Sequence, residues 1–398
     1  MKIVFKILIG LIFFSLFFYC HQRSLEKEIP LYVHPDHFDF SQNPQLLQRI
    51  VSTPHGYYRF INVQFAGLVC ERLKEMKLPA HALNLHGDAH LEQYAVTDIG
   101  RGLTDFDDAS SGPGLIDWMR FSTSLYLACY QKEWTEHYET LFQTFFRGYR
   151  DALNDSAVEV PEPVIVQRLK NCFITDRKVY FQWIDTLIDP LSRGEQDSLL
   201  KAFDEYVVTM LNENPSLPDS FFKVVKIGYL RMGIGSALDV KYLLRIRGPG
   251  PDPLDDEILE IKQVRDLDPI SCINPGSKFD PFRIMIAQAR IAYEPFQYLG
   301  YFRYCQKTFW VHGWVDNYQQ VDIETTFHTV DELAQVVYDI GVQLGMGHTN
   351  QIAAPFDEQL RQKLKRVIDQ YDRDIFQLSV DLAKLSLDAH SRFCRTVD

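Results

Sequence analysis

The feature that most limits what this chain can fold into is a change of period near residue 223. Upstream of it, residues 133–215 carry apolar side chains at helical spacing, in several amphipathic stretches joined by polar connections. Beyond it, "KVVKIGYLRMGIGSALDVKYLLRIRG" alternates apolar with polar and is punctuated by glycine, as a twisted antiparallel sheet would be. "GPGPDPLDD" is a turn and "EILEIKQV" a further strand, while 280–296 reads as a helix and 297–315 as aromatic strand. Residues 331–347 and 355–390 return to the helical period. The expected order is a helical lobe, a small sheet lobe and a helical return, without internal repeats. A chain of 398 residues can bury the core of two lobes or of one large domain.

The chain opens with "MKIVFKILIGLIFFSLFFYC", where Lys2 and Lys6 precede an apolar run reaching Tyr19. Its length suits a signal sequence or a short membrane anchor. The basic residues favour an inside amino terminus, which puts the folded part outside. Export or membrane anchoring in a cell envelope is therefore expected, with membrane association through residues 1–20. Cys20 ends the run as a lipidated cysteine would, but Tyr19 before it departs from the small residues that processing sites favour. Cys70, Cys129, Cys172, Cys272, Cys305 and Cys394 are scattered without a CxxC pair. They permit disulfides without specifying any, and they exclude a compact zinc site. A net charge of -12 and the lack of a basic run argue against a duplex nucleic-acid partner. Residues 1–22 are read as the signal or anchor and 23–56 as a linker. A domain over 57–390 then divides into a helical lobe (57–215), a sheet lobe (223–316) and C-terminal helices (317–390).

The densest chemistry lies in "NLHGDAHLEQYAVTDIGRGLTDFDDASSGPG", residues 84–114. A helix is expected over 57–77 and a short buried strand at Leu83–Leu85, so Asp88 sits in a tight loop directly after a strand. A hairpin turning near Gly100–Gly102 would fold Asp105 and Asp107 back beside Asp88. Acids grouped this way hold a divalent cation, or one orients a nucleophile while the others hold the metal. Singly, each reads as a turn aspartate capping a loop; together they read as a site. Asp98 and Asp108 read as ordinary turn acids, His86 as a structural histidine, and His90 stays open.

A second element follows the period change. Gly233, Gly235 and Ser236 fall in a hairpin, where glycines let backbone amides approach phosphate oxygens. Lys262 interrupts the apolar core of the strand "EILEIKQV", where a phosphate-pairing lysine would project from a sheet. Glycine loop, strand lysine and acidic hairpin are the parts of an ATP-dependent kinase. In an ordinary kinase, however, the first two precede the catalytic loop. A circular permutation restores the order, and it requires Lys262 to face Asp105 across a cleft from 157 positions away.

With these residues in view, the sequence resembles the bacterial DUF2252 family, itself similar to aminoglycoside phosphotransferases and other protein-kinase-like enzymes. The resemblance rests on Gly87-Asp88-Ala89-His90-Leu91, Thr104-Asp105-Phe106-Asp107-Asp108, Gly112-Pro113, Asp117-Trp118-Met119-Arg120 and Ser124-Leu125. Upstream, Tyr57 to Phe60 is similar to a further family element. Downstream, Met232 to Ala237, Leu259 to Val264, Val311 to Asp316, Val321 to Glu324 and Val342 to His348 follow in family order, so that it covers roughly 50–375. It implies an α+β, two-lobe protein-kinase-like fold, circularly permuted. It further implies Asp88 as catalytic base, Asp105 as principal metal ligand with Asp107 beside it, Gly233, Gly235 and Ser236 over the phosphates, and Lys262 paired with them. ATP and Mg²⁺ or Mn²⁺ would be required, with transfer to a hydroxyl of a small molecule or a protein; 133–215 carries no legible acceptor motif, and nothing sets the oligomeric state. Two positions depart from the family. Gln93 stands where a metal-binding Asn is expected, and Ile286 where a glutamate would pair with Lys262. Restoring either group is expected to strengthen nucleotide binding. The alternatives are a catalytically weak or dead nucleotide-binding envelope protein, and a metal-dependent phosphohydrolase, which would need further His and Asp ligands outside 86–107.

Overall fold

Three helices come first in the computed structural model: α1 (Pro44–Ser52), α2 (Pro54–Phe60) and α3 (Asn62–Met76). The structure describes residues 29–41, 44–79, 81–230, 239–350 and 352–397. Four short strands follow: β1 (Leu83–Leu85), β2 (Tyr94–Val96), β3 (Arg101–Leu103) and β4 (Ser110–Gly112). Helices α4 (Leu115–Gln131), α5 (Tyr138–Asn154), α6 (Val164–Lys170) and α7 (Arg177–Leu187) lead to strand β5 (Ile188–Pro190) and helix α8 (Arg193–Glu213). Then come β6 (Val224–Leu230), β7 (Lys241–Ile246), β8 (Glu257–Gln263), α9 (Phe282–Ile291), β9 (Gly300–Tyr304), β10 (Lys307–Gly313) and β11 (Gln319–Gln320). The chain closes with α10 (Val330–Thr349) and α11 (Phe356–Val397).

The helical order and the antiparallel sheet follow the sequence periods, giving a mixed α/β protein. The six-stranded sheet runs β5-β6-β7-β8-β10-β9, with neighbouring strands antiparallel. The acidic hairpin forms as β2 and β3, paired Tyr94 to Leu103, with Thr97 and Gly100 closing the turn. β11 adds to β2 and makes a three-stranded sheet. In the helical core, α5 and α10 cross at backbone contact, because Gly148 and Gly341 present no side chain there. A Cβ at these positions would lie 2.3 Å from Tyr338 O and 2.2 Å from Phe145 O. Any larger residue would push the two helices apart.

Three expectations are corrected. The linker over 23–56 is not one from residue 29 on: Leu31, Val33, Leu46 and Ile50 are buried in the main core, the last two on α1. Leu46 and Ile50 are four residues apart, the spacing that seals a helix face. The helix over 57–77 is two helices, broken at Ile61, whose backbone (φ -95°, ψ 27°) leaves the helical region. The sheet lobe starts well before residue 223. β5 pairs with β6, Tyr180 and Ile184 of α7 pack on Leu243 and Ile258, and Phe203 and Tyr206 of α8 pack on Phe302 and Phe309. Conversely, α9 buries Ile284, Ala287 and Ile291 in the main helical core.

The segment between β8 and α9 wraps the acidic loop. Asn274 bridges Ser111, Arg283 donates to the carbonyl of Ala109 (2.7 Å), and Cys272 forms a disulfide with Cys70 of α3 across a Cα separation of 5.5 Å. The apolar start (1–20) and Gly233, Gly235 and Ser236 lie outside the described residues. No helix among the described residues is long and apolar enough to cross a membrane.

Candidate functional site

β1 delivers the chain into the loop that carries Asp88. That loop is held by Asp117, fully buried in the first turn of α4, which accepts from the amides of His86 (2.7 Å) and Gly87 (2.8 Å). His348 of α10 donates from Nε2 to the same carboxylate (3.0 Å) while its Nδ1 accepts from the Tyr149 hydroxyl (2.7 Å). Gly87 runs against the backbone of Asp108 at a φ of +80°, and a Cβ there would meet Asp108 O at 1.9 Å. Only glycine permits that approach in that conformation. Asn62 ties the two loops, donating to Gly87 O (3.0 Å) and Asp108 Oδ2 (2.9 Å). His86 donates to Thr104 O (2.9 Å), the structural role expected of it.

The buried Asp88 accepts from Arg120 Nε (2.8 Å) and from Gln93 Nε2 (3.3 Å), and His90 Nε2 stands 3.7 Å away. Burial raises the Asp88 carboxyl above its usual range, against the lowering pull of Arg120. Arg120 lies flat over the Tyr58 ring at 3.9 Å and donates to Tyr58 O. Burial, with Arg59 and His55 nearby, holds His90 well below its ordinary value and therefore neutral.

At the far end of the hairpin, Asp105 adopts a left-handed backbone (φ 60°), which Asp and Asn tolerate better than most residues. Lys262 Nζ lies 2.6 Å from Asp105 Oδ1 and 2.6 Å from Asp107 Oδ2. Asp107 also accepts from Trp310 Nε1 (2.9 Å). Burial works against the Lys262 charge, but the two carboxylates outweigh it and hold the ammonium well above its ordinary pKa. The Asp107 side chain is 6% exposed and that of Asp105 34%, so Asp105 is the more accessible of the two. Asp108, read from sequence as a turn acid, is instead buried and ion-paired to Arg265 at 2.7 Å. Asp98 accepts from Asn317 (3.0 Å) on the exposed side.

Asp88, Gln93, Asp105, Asp107 and Lys262 line one cavity of about 220 Å³ between the helical core and the six-stranded sheet. Sequence reasoning missed several other lining groups. Register places Lys241 of β7 and Trp310 of β10 on either side of Lys262, and Glu260 and His312 in the next row. His312 pairs with Glu260 (3.1 Å) and stacks between Trp310 and Phe296, at ring centroid distances of 4.5 and 4.6 Å. The alternating period put Glu260 on the face of Lys262, a signal present in the sequence; the cross-strand partners had none.

The expectation for Ile286 fails geometrically. It lies on the outer side of α9, 46% exposed and away from the cavity lining, because Ile284, Ala287 and Ile291 turn the opposite face inward. Glu260 is the acid that adds to the field at Lys262. Ile286→Glu is accordingly expected to change stability by less than about 0.5 kcal/mol. It should also leave nucleotide response unchanged, as thermal melts with and without ATP would show.

The described side chains also permit a test of fit for a divalent cation. Among the described residues no group of three or more His, Cys, Asp or Glu forms a ready-made metal cage. Magnesium does not require one, since it takes one or two protein carboxylates and leaves the rest of its shell to phosphate and water. Asp105 and Asp107 fit that demand. Gln93 Oε1, buried beside them in the same cavity lining without a hydrogen-bond partner, is a further acceptor.

Fold and site define a mixed α/β protein whose inter-lobe cleft joins an acidic hairpin to a lysine-bearing antiparallel sheet. The family model described as "Uncharacterized protein conserved in bacteria (DUF2252)" matches residues 43–177 and 169–396, and the chain belongs to this family. Comparison with curated proteins and with solved structures found no match.

Proposed function

We propose that this chain is a kinase-like phosphotransferase, moving a phosphoryl group from ATP to a hydroxyl of an acceptor, with a circularly permuted two-lobe arrangement. The observation that carries the reading is the meeting of Lys262 with Asp105 and Asp107, both at 2.6 Å, in the cavity that also holds Asp88. Phosphoryl transfer needs little covalent chemistry from the protein; it needs positioning and charge. Asp105 and Asp107 would hold magnesium, with Gln93 beside them, and the bound ion supplies charge neutralisation on the phosphates. Asp88 takes the proton of the acceptor hydroxyl as that oxygen bonds to the terminal phosphorus. The bond from phosphorus to the bridging oxygen breaks, and Lys262 meets the charge left on the departing diphosphate. Gly233, Gly235 and Ser236 are assigned the cover over the phosphates. Burial raises the Asp88 carboxyl above its usual range, the direction that strengthens a general base.

A second reading, binding without transfer, has one observation in its favour: the Asp88 carboxylate is already engaged by Arg120. Location is part of the proposal. The Cys70–Cys272 disulfide supports an oxidising compartment, in keeping with export through the apolar start.

The test is a thermal-shift titration of the full chain, in mild detergent, with ATP and ADP in the presence of Mg²⁺ or Mn²⁺. At a hundred times the dissociation constant, binding stabilises by about 2.7 kcal/mol, a shift of several degrees. Asp105→Asn should abolish the metal-dependent part of that shift, because an amide carries no charge to hold the cation. Asparagine tolerates the left-handed backbone at this position, so the variant should still fold. A wild type indifferent to every nucleotide overturns the reading.

A further inference from the structure

We infer that Lys241 is a second phosphate-binding cation, and that with Lys262 it selects a donor carrying two or more phosphates in tandem. The inference rests on the donor reading above and narrows it. Lys241 and Lys262 are direct partners across β7 and β8. Each is only 5% exposed, and both line the cavity that contains Asp105 and Asp107. Side chains of direct cross-strand partners stand about 5 Å apart on one face, and like charges there destabilise a sheet. Burial, and then the neighbouring Lys262 charge, lower the Lys241 ammonium from its ordinary pKa, so the position is costly to the folded protein. The next residue on the same face, Leu243, is apolar and fully buried, the solution a purely structural position would adopt. The Lys241-Lys262-Trp310 row thus presents two cations side by side to the cavity.

In the ligand-free arrangement Glu260, Asp105 and Asp107 counter the charge of the pair. When the two aspartates turn to a divalent cation, Glu260 remains beside the pair as a single acid, and the surplus positive charge faces the cavity. Two adjacent cations offer a chain of two or more phosphates one ammonium per phosphate, whereas a monophosphate can use only one of them. Each ammonium can then take the oxygens of its own phosphate.

The experiment uses the full chain in mild detergent with Mg²⁺, titrated with ATP, sodium tripolyphosphate and AMP and followed by melting temperature. Lys241→Met keeps the length of the side chain and removes the charge; Lys241→Arg keeps the charge. Expected are a response of the wild type to ATP and tripolyphosphate, and a roughly tenfold or greater weakening of both in Lys241→Met, in the range of a lost charged hydrogen bond. AMP should be affected less, and Lys241→Arg should retain most of the affinity. The ligand-free melting temperature of Lys241→Met, measured alongside, shows whether the substitution disturbs the fold. Should it fall far, Lys241→Gln supplies a second uncharged variant for the same titration. ATP and tripolyphosphate affinities equal to wild type in the uncharged variant overturn the lysine pair while leaving the donor reading intact. A wild type that responds to no phosphate compound removes both.

Discussion

Asp88→Asn is expected to lower the turnover of ATP by about 10²–10⁴-fold, the usual contribution of a general base. Nucleotide binding should remain. Asparagine still offers an oxygen to Arg120 but cannot accept the proton of an attacking hydroxyl. The site in which this happens is tightly built. Arg120 is 1% exposed and would lose its charged partner Asp88, keeping the bond to Tyr58 O and the contact with its ring. Removing one member of a buried ion pair costs about 3–5 kcal/mol, so the variant should also melt lower than the wild type. Retained ATP binding then serves as the control for folding, and ADP release with water as surrogate acceptor reports the chemistry. If Asp88→Asn and Asp105→Asn lose metal-dependent binding to the same degree, the acids form a shared metal cage. The phosphohydrolase alternative would then gain at the expense of transfer.

Asp117→Ala should destabilise the fold by about 3–5 kcal/mol, the cost of leaving buried donors without their charged acceptor. Three donors converge on this carboxylate: the amides of His86 and Gly87 and the imidazole of His348. They come from the loop of Asp88 and from α10, so one side chain couples the site loop to the helical core. Asp117→Asn, which retains one acceptor oxygen, should cost less and remain folded. Denaturant titration measures both. A loss below about 1 kcal/mol for the alanine variant would mean that the loop is held by the Asn62 and Gly87 contacts instead. The same variants should slow ATP turnover even at temperatures where they are folded, because Asp88 hangs from the peptide bonds that Asp117 fixes.

Much of this arrangement is legible in the sequence. The strand "EILEIKQV" placed Lys262 on a sheet, and the structure has that side chain lining the cavity. Glycines at the hairpin tip predicted that Asp105 and Asp107 return beside Asp88, and all three line the same cavity. These readings succeed because side-chain period and turn chemistry are properties of a few neighbouring residues. The helix read over 331–347 lies within two residues of α10 at each end for the same reason.

Other features had no local signature. The partnership of Lys241 with Lys262 depends on the register of β7 against β8, and a slip of one residue would turn that side chain to the other face. Which of six scattered cysteines pair depends on the segment after β8 crossing α3, where Cys272 reaches Cys70. The burial of Asp88 on Arg120, the assignment of α7 and α8 to the sheet, and the outward face of Ile286 follow from which surfaces meet. By itself, the sequence determined the order of helices and strands, the side on which each strand carries its charges, and the acids of the hairpin. Only the tertiary structure decided which charge answers which. An ion pair between residues 157 positions apart is written in no local pattern and exists only when two packed lobes bring its members within 2.6 Å.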